Sequence, residues 1–122
     1  MALRANMVTI DCADPRALAG FWTGALGYSV VSDWDGAYLL LRPAPVDGVA
    51  GPGFTLGLQQ VPEPRTGKNR VHLDLVADDR GAEVDRLVGL GAKIIDEQHI
   101  PGFAWSVLTD PQDNIFCVGA DE

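Results

Sequence analysis

The stretch Arg70-Val71-His72-Leu73-Asp74 carries a guanidinium, an imidazole and a carboxylate at every second position. On a strand, side chains alternate between faces, so all three would point the same way. An imidazole beside a carboxylate is how a general base is built, with the carboxylate fixing the tautomer, and Arg70 would offer a partner to an anionic group. The same three residues also read as a structural hydrogen-bond network, and spacing alone does not separate the two readings. Asp11 is the first-half counterpart of Asp74, because Ile10-Asp11 repeats Leu73-Asp74 63 residues earlier. A carboxylate repeated in this way reads as a structural partner, yet paired carboxylates near one cleft would also bind a cation.

Aromatic residues form a second group with chemical use. Trp34 and Trp105 stand near predicted strand ends and Phe103 lies beside Trp105. Such surfaces stack on flat or cationic ligands, and they equally well pack a core. Trp22 shares a helical stripe with Leu18 and Ala25 and reads as core. Gln59 is a candidate polar group for a pocket, whereas His99 falls in Gln98-His99-Ile100-Pro101-Gly102, which reads as an exposed turn. The two cysteines, Cys12 and Cys117, have neither metal-type nor redox-type spacing and read as buried strand thiols. Cys117 joins the candidate ligand-binding residues with Asp11, Gln59, Arg70, Trp34, Phe103 and Trp105.

The elements that must position these groups occur twice. Residues 7–12 read as a strand, Asp14-Pro15 opens a helix with Leu18, Phe21, Trp22 and Ala25 at helical spacing, and Gly27 ends it. Residues 71–76 read as a strand, Asp78-Asp79 caps a helix bearing Val84, Leu87 and Val88, and Gly91 ends that one. Leu26-Gly27 and Leu90-Gly91 stand 64 residues apart, about half the chain. Strand-like stretches follow at 28–31, 37–41 and 54–61 in the first half, and at 93–95, 104–108 and 115–118 in the second. Trp34-Asp35-Gly36 and Asp110-Pro111-Gln112-Asp113-Asn114 punctuate them as turns. Residues 42–53, with three prolines and three glycines, read as a loop, and 62–68 as a linker between halves. The pattern predicts an α+β protein of two βαβββ modules, at about 5–61 and 69–120, within one domain spanning 1–122.

With 122 residues and 47% hydrophobic content, the chain has the composition of a folded domain. A net charge of −8 argues against nucleic acid as a partner, since that affinity rests on clustered Lys and Arg. A neutral or cationic small molecule fits better, although acidity also serves solubility alone. No apolar run approaches the roughly 18 residues that span a bilayer, and the start lacks a signal-peptide core, so no membrane partner and a cytoplasmic location are expected.

Two βαβββ modules so punctuated resemble the vicinal oxygen chelate superfamily, which includes glyoxalase I, extradiol dioxygenases, fosfomycin resistance enzymes and bleomycin resistance proteins. The resemblance is carried by Ala13-Asp14-Pro15 with Phe21-Trp22 and Leu26-Gly27-Tyr28. It is carried too by Leu108-Thr109-Asp110-Pro111-Gln112-Asp113-Asn114, which is similar to the family's Asp-Pro-Asp-Gly-Asn turn. Lys68-Asn69-Arg70-Val71-His72-Leu73-Asp74-Leu75 and Phe116-Cys117-Val118 resemble a subgroup known as glyoxalase-like domains.

The resemblance implies two curved sheets forming a half-barrel with a ligand on the concave face, and a homodimer. In metal-dependent members it also implies a divalent cation on His and Glu side chains from the first and last strands of each half. Carried onto this chain, the first-strand position falls on Met7, the last-strand position on Cys117 and the fourth-strand position among Gly57, Leu58 and Gln59. The fifth-strand position falls on Arg70, or on His72 after a two-residue slip. At most one good hard-metal ligand remains, so no metal cofactor is expected. The expected function is metal-independent binding of a small organic molecule, of a sequestering or resistance type. The alternative is a lyase, isomerase or epimerase using His72 and Asp74, metal-assisted if unconventional ligands hold an ion.

Overall fold

In the computed structural model, which describes residues 2–122, the chain divides into two compact units, one up to Pro64 and the other Arg65–Glu122. Their junction falls inside the stretch 62–68. Each unit is one βαβββ module.

In the first unit, β1 (Met7–Cys12) leads into α1 (Pro15–Leu26), followed by β2 (Tyr28–Asp33), β3 (Tyr38–Pro43) and β4 (Thr55–Gln60). Helix α1 begins where its sequence asks it to. The Asp14 carboxylate accepts a hydrogen bond from the Ala17 N–H at 3.2 Å, and Pro15 occupies the first turn, where a missing N–H costs nothing. Gly27 ends the helix at φ 69°, a left-handed conformation suited to glycine. The strands form a sheet in the order β1-β4-β3-β2, with β1 parallel to β4 and the other pairs antiparallel. Helix α1 packs on one face of this sheet. Leu18, Phe21 and Trp22 from the helix and Leu39, Leu41, Leu56 and Leu58 from β3 and β4 are its buried core.

The second unit repeats the plan with β5 (Leu73–Val76), α2 (Arg80–Leu90), β6 (Lys93–Ile100), β7 (Phe103–Thr109) and β8 (Ile115–Asp121). Its sheet order is β5-β8-β7-β6, again with the first and last strands parallel. Asp79 caps α2 by accepting from the Ala82 N–H at 3.0 Å, and Val84 and Leu87 face the sheet. The β7–β8 turn is built on Asp110, whose carboxylate accepts from the backbone N–H groups of Gln112 and Asn114, with Asp113 in the left-handed region at φ 69°. No helix among the described residues is long and apolar enough to cross a membrane.

Two element boundaries differ from expectation. Strand β5 begins at Leu73 rather than at residue 71, so Arg70 lies in a bend, exposed, and His72 stands immediately before the strand. Arg70 therefore does not share a strand face with Asp74. Strand β6 runs on to Ile100, which places His99 opposite Ala104 in a ladder and shrinks the turn to Pro101-Gly102. The cause is exposure: β6 is an edge strand exposed along its whole length, so its polar Asp96-Glu97-Gln98-His99 run needs no apolar alternation.

Candidate functional site

In the second unit, Phe116, Val118 and Ala120 of β8 and Ala104, Ser106 and Leu108 of β7 are buried beneath α2. Alternation then turns Cys117, Gly119 and Asp121, with Phe103, Trp105 and Val107, to the opposite, open face. Asp74 pairs with Cys117 across β5 and β8 and joins them there. His72 reaches the same spot from just before the strand, its Nε2 3.3 Å from Asp74 Oδ1. The imidazole, carboxylate and thiol offer donor atoms that all lie within 4.8 Å of one another. His72 and Asp74 are accessible, with side chains 41% and 75% exposed, while Cys117 is buried.

Burial pushes the Cys117 thiol above its ordinary range, and the charge of Asp74 together with a hydrogen bond to its carboxylate pushes the same way. All three effects favour the neutral thiol. A raised thiol pKa favours the folded state below the ordinary value of 9.0, and that contribution is lost as pH rises through the folded value. Asp74→Asn removes the charge, so Cys117 should alkylate faster with iodoacetamide at pH 8.5 in the variant than in the wild type. Peptide mass spectrometry separates Cys117 from Cys12; an unchanged rate would mean that burial alone sets the thiol.

On the same face, Trp105 and Phe103 stand one and two rows from this cluster on β7, their ring centroids 6.1 Å apart and their planes 33° from parallel. The Phe103 ring lies over Gly119, where a Cβ would stand 2.4 Å from Phe103 Cζ. Glycine at this position thus makes room for an aromatic side chain on the sheet surface.

The first unit presents different chemistry at corresponding places. Met7 pairs with Thr55, and Gly57 lies two residues further along β4. A Cβ on Gly57 would meet Met7 Cε at 2.7 Å and both Thr9 Oγ1 and Tyr38 Oη at 2.8 Å. The thioether, the hydroxyl and the phenol, the last two hydrogen-bonded at 3.1 Å, close over the bare backbone. Asp11 and Gln59 are paired across β1 and β4 and exposed. Trp34, 55% exposed, follows β2 with its ring 5.7 Å from that of Tyr38. Trp22 is core, as its helical stripe predicts.

The closing of Met7, Thr9 and Tyr38 over Gly57 is absent from the sequence reading; its one signal was an isolated glycine within an apolar strand. A second arrangement had no such signal. Arg80 Nη1 donates to Glu97 Oε2 and to Ser106 Oγ, both at 2.7 Å, beside an open groove of about 340 Å³ that His99 and Glu122 also line. Its members come from α2, β6 and β7, and only the sheet's register unites them.

Paired βαβββ modules of this topology are the architecture of the vicinal oxygen chelate superfamily. The sequence pattern of the glyoxalase-like domain family matches residues 7–119, and the chain belongs to that family. Among solved structures it is similar to a glyoxalase/bleomycin resistance/dioxygenase family enzyme from Burkholderia phytofirmans, at 19% identity and a TM-score of 0.71, covering 95% of this chain and 98% of that one. It is similar also to lactoylglutathione lyase from Agrobacterium tumefaciens, at 20% identity and a TM-score of 0.66 over 98% of this chain and 96% of that one. A third likeness is to the fosfomycin resistance protein FosX from Listeria monocytogenes, determined with Mn(II) and a dihydroxypropylphosphonic acid. There the identity is 11% and the TM-score 0.75, over 97% of this chain and 90% of that one. At these identities the likeness is one of fold. A search of curated protein sequences found no match.

The residues present fit the superfamily's divalent metal poorly. A hard octahedral ion asks for imidazole and carboxylate donors. In the first unit the places that the resemblance implies hold Met7 and the run Gly57-Leu58-Gln59, which has no carboxylate, and Gly57 has no room for one. In the second, His72 and Asp74 supply one imidazole and one carboxylate, and the third donor beside them is the soft thiol of Cys117.

Proposed function

We propose that this chain binds a small organic molecule on the open sheet surfaces without a divalent metal, holding its ligand rather than transforming it. The observation that carries this reading is that Met7 over the bare Gly57, and the buried thiol of Cys117, stand where hard donors would be needed. Without a Lewis acid, these sheet surfaces offer stacking, hydrogen bonds and carboxylates, which are the means of a binding protein.

The test is metal content after purification without an affinity tag, followed by thermal unfolding with Mn²⁺, Ni²⁺, Fe²⁺ and Zn²⁺. Substoichiometric metal and an unchanged melting temperature are expected. A metal bound a thousandfold above its Kd would add about 4 kcal/mol, so a specific rise would be plain and would overturn the reading.

A second reading is favoured by the 3.3 Å approach of His72 to Asp74. This pair sets an imidazole beside a carboxylate, the two groups that a lyase, isomerase or epimerase would use to move a proton on a bound substrate. His72→Ala separates the two: an enzyme loses turnover far more than affinity, and a binder loses only part of its affinity.

A further inference from the structure

Strand register arranges the open face of the second sheet in three rows. Gln98, Trp105, Gly119 and Val76 form the central row across β6, β7, β8 and β5. Asp96, Val107, Cys117 and Asp74 form the row on one side, and Ile100, Phe103 and Asp121 the row on the other. Beyond Gln98 on the edge strand the centre is apolar: Phe103 bends over Gly119, Trp105 lies beside it, and Val76 is 81% exposed. Carboxylates stand at three corners, Asp74, Asp96 and Asp121, and these rows contain no Lys or Arg. Asp96 accepts from Gln98 Nε2 at 2.6 Å, while the side chain of Asp74 is three-quarters exposed.

An aromatic floor ringed by anions complements one kind of small molecule. Aromatic faces carry negative potential and attract cations, most strongly at tryptophan, and an exposed carboxylate adds to the same field. Neighbouring strands lie about 4.8 Å apart, so the columns holding Trp105 and Val76 are separated by about 10 Å, the length of a fused tricyclic ring system. We propose that this face takes an organic cation with a flat aromatic body, its ring on Trp105 and Phe103 and its positive charge in the combined field of Asp74, Asp96 and Asp121. The proposal rests on the reading of the chain as a binding protein and adds the ligand's chemical class. It also gives Gly119 a purpose, because any larger residue there would lift Phe103 off the sheet and break the floor.

The probes are 9-aminoacridine, a cation at neutral pH, its neutral relative acridine, and the anion anthracene-9-carboxylate, titrated at pH 7.5 in low salt and followed by probe fluorescence. 9-Aminoacridine should bind at least tenfold more tightly than acridine, with the anion weakest. Trp105→Ala should weaken the cation at least tenfold. Asp74→Asn should weaken it several-fold and flatten its salt dependence, because it removes one of the three carboxylates around the floor. Asp85→Asn on α2, at the other face, should leave it unchanged. Trp105→Phe keeps an aromatic floor and should retain most binding, so a folding defect in Trp105→Ala is distinguishable from loss of the site. Equal affinity for all three probes would overturn the charge assignment while leaving a binding protein in place. Binding by none of them, or binding untouched by both Trp105→Ala and Asp74→Asn, would overturn the site. Failure of the underlying reading shows elsewhere, as turnover or as a metal-specific stabilisation.

Discussion

Trp22→Ala should cost the first unit about 4 kcal/mol. The indole is 1% exposed and meets the Phe21 ring edge-on, with centroids 5.1 Å apart. It is the largest of the fully buried side chains and belongs to the layer between α1 and the sheet, where Leu18, Leu39, Leu41, Leu56 and Leu58 are also buried. Truncation removes its transfer free energy and leaves a cavity that neighbours fixed on a helix and two strands close only in part. Since small domains are stable by about 5–15 kcal/mol, this loss is a large share of the whole. Urea denaturation followed by circular dichroism measures it. Trp22→Phe, which keeps an aromatic ring, should lose distinctly less, and a loss below about 1 kcal/mol for the alanine variant would remove Trp22 from the core.

Asp110→Ala should cost about 3 kcal/mol, in the second unit. Its carboxylate belongs to a residue 2% exposed and accepts from the Gln112 N–H at 2.8 Å and the Asn114 N–H at 3.1 Å. The Asn114 side-chain amide donates to both carboxylate oxygens, at 3.0 and 3.2 Å. Alanine would strand these donors where little water reaches them, and the penalty for orphaned donors exceeds the net worth of the bonds. The turn also starts β8, so the effect should reach the site: Cys117 should alkylate faster in the variant. Asp110→Asn keeps one acceptor oxygen and should recover part of the loss. Full stability in Asp110→Ala would mean that the backbone bonds Asp110 N–H to Asn114 O and Asp113 N–H to Asp110 O hold the turn unaided.

The cluster of His72, Asp74 and Cys117 shows how far local pattern reaches. His72 and Asp74 were legible as a pair because a period of two needs only the sequence. Cys117 was placed near a ligand position by its distance from the Asp-Pro turn, but its approach to Asp74 follows from the parallel pairing of β5 with β8. Arg70 was grouped with them on the assumption of a longer strand. A bend ahead of Leu73 removed it, and periodicity does not locate where a strand ends.

By itself, the sequence determined everything set within a few residues: the doubled βαβββ order, the Asp14 and Asp79 helix caps, the glycine stops at Gly27 and Gly91, and the left-handed turn at Asp113. These depend on short-range sterics and hydrogen bonds, and each residue carries its own reason. Tertiary structure alone decided which strands became neighbours. Asp74 meets Cys117 43 residues away, and Met7, Thr9 and Tyr38 converge on Gly57, because a central strand in each unit collects partners from both ends of the module. It also decided that the polar run 96–99 is a strand, since an edge is held by its ladder to β7 rather than by burial of its own side chains.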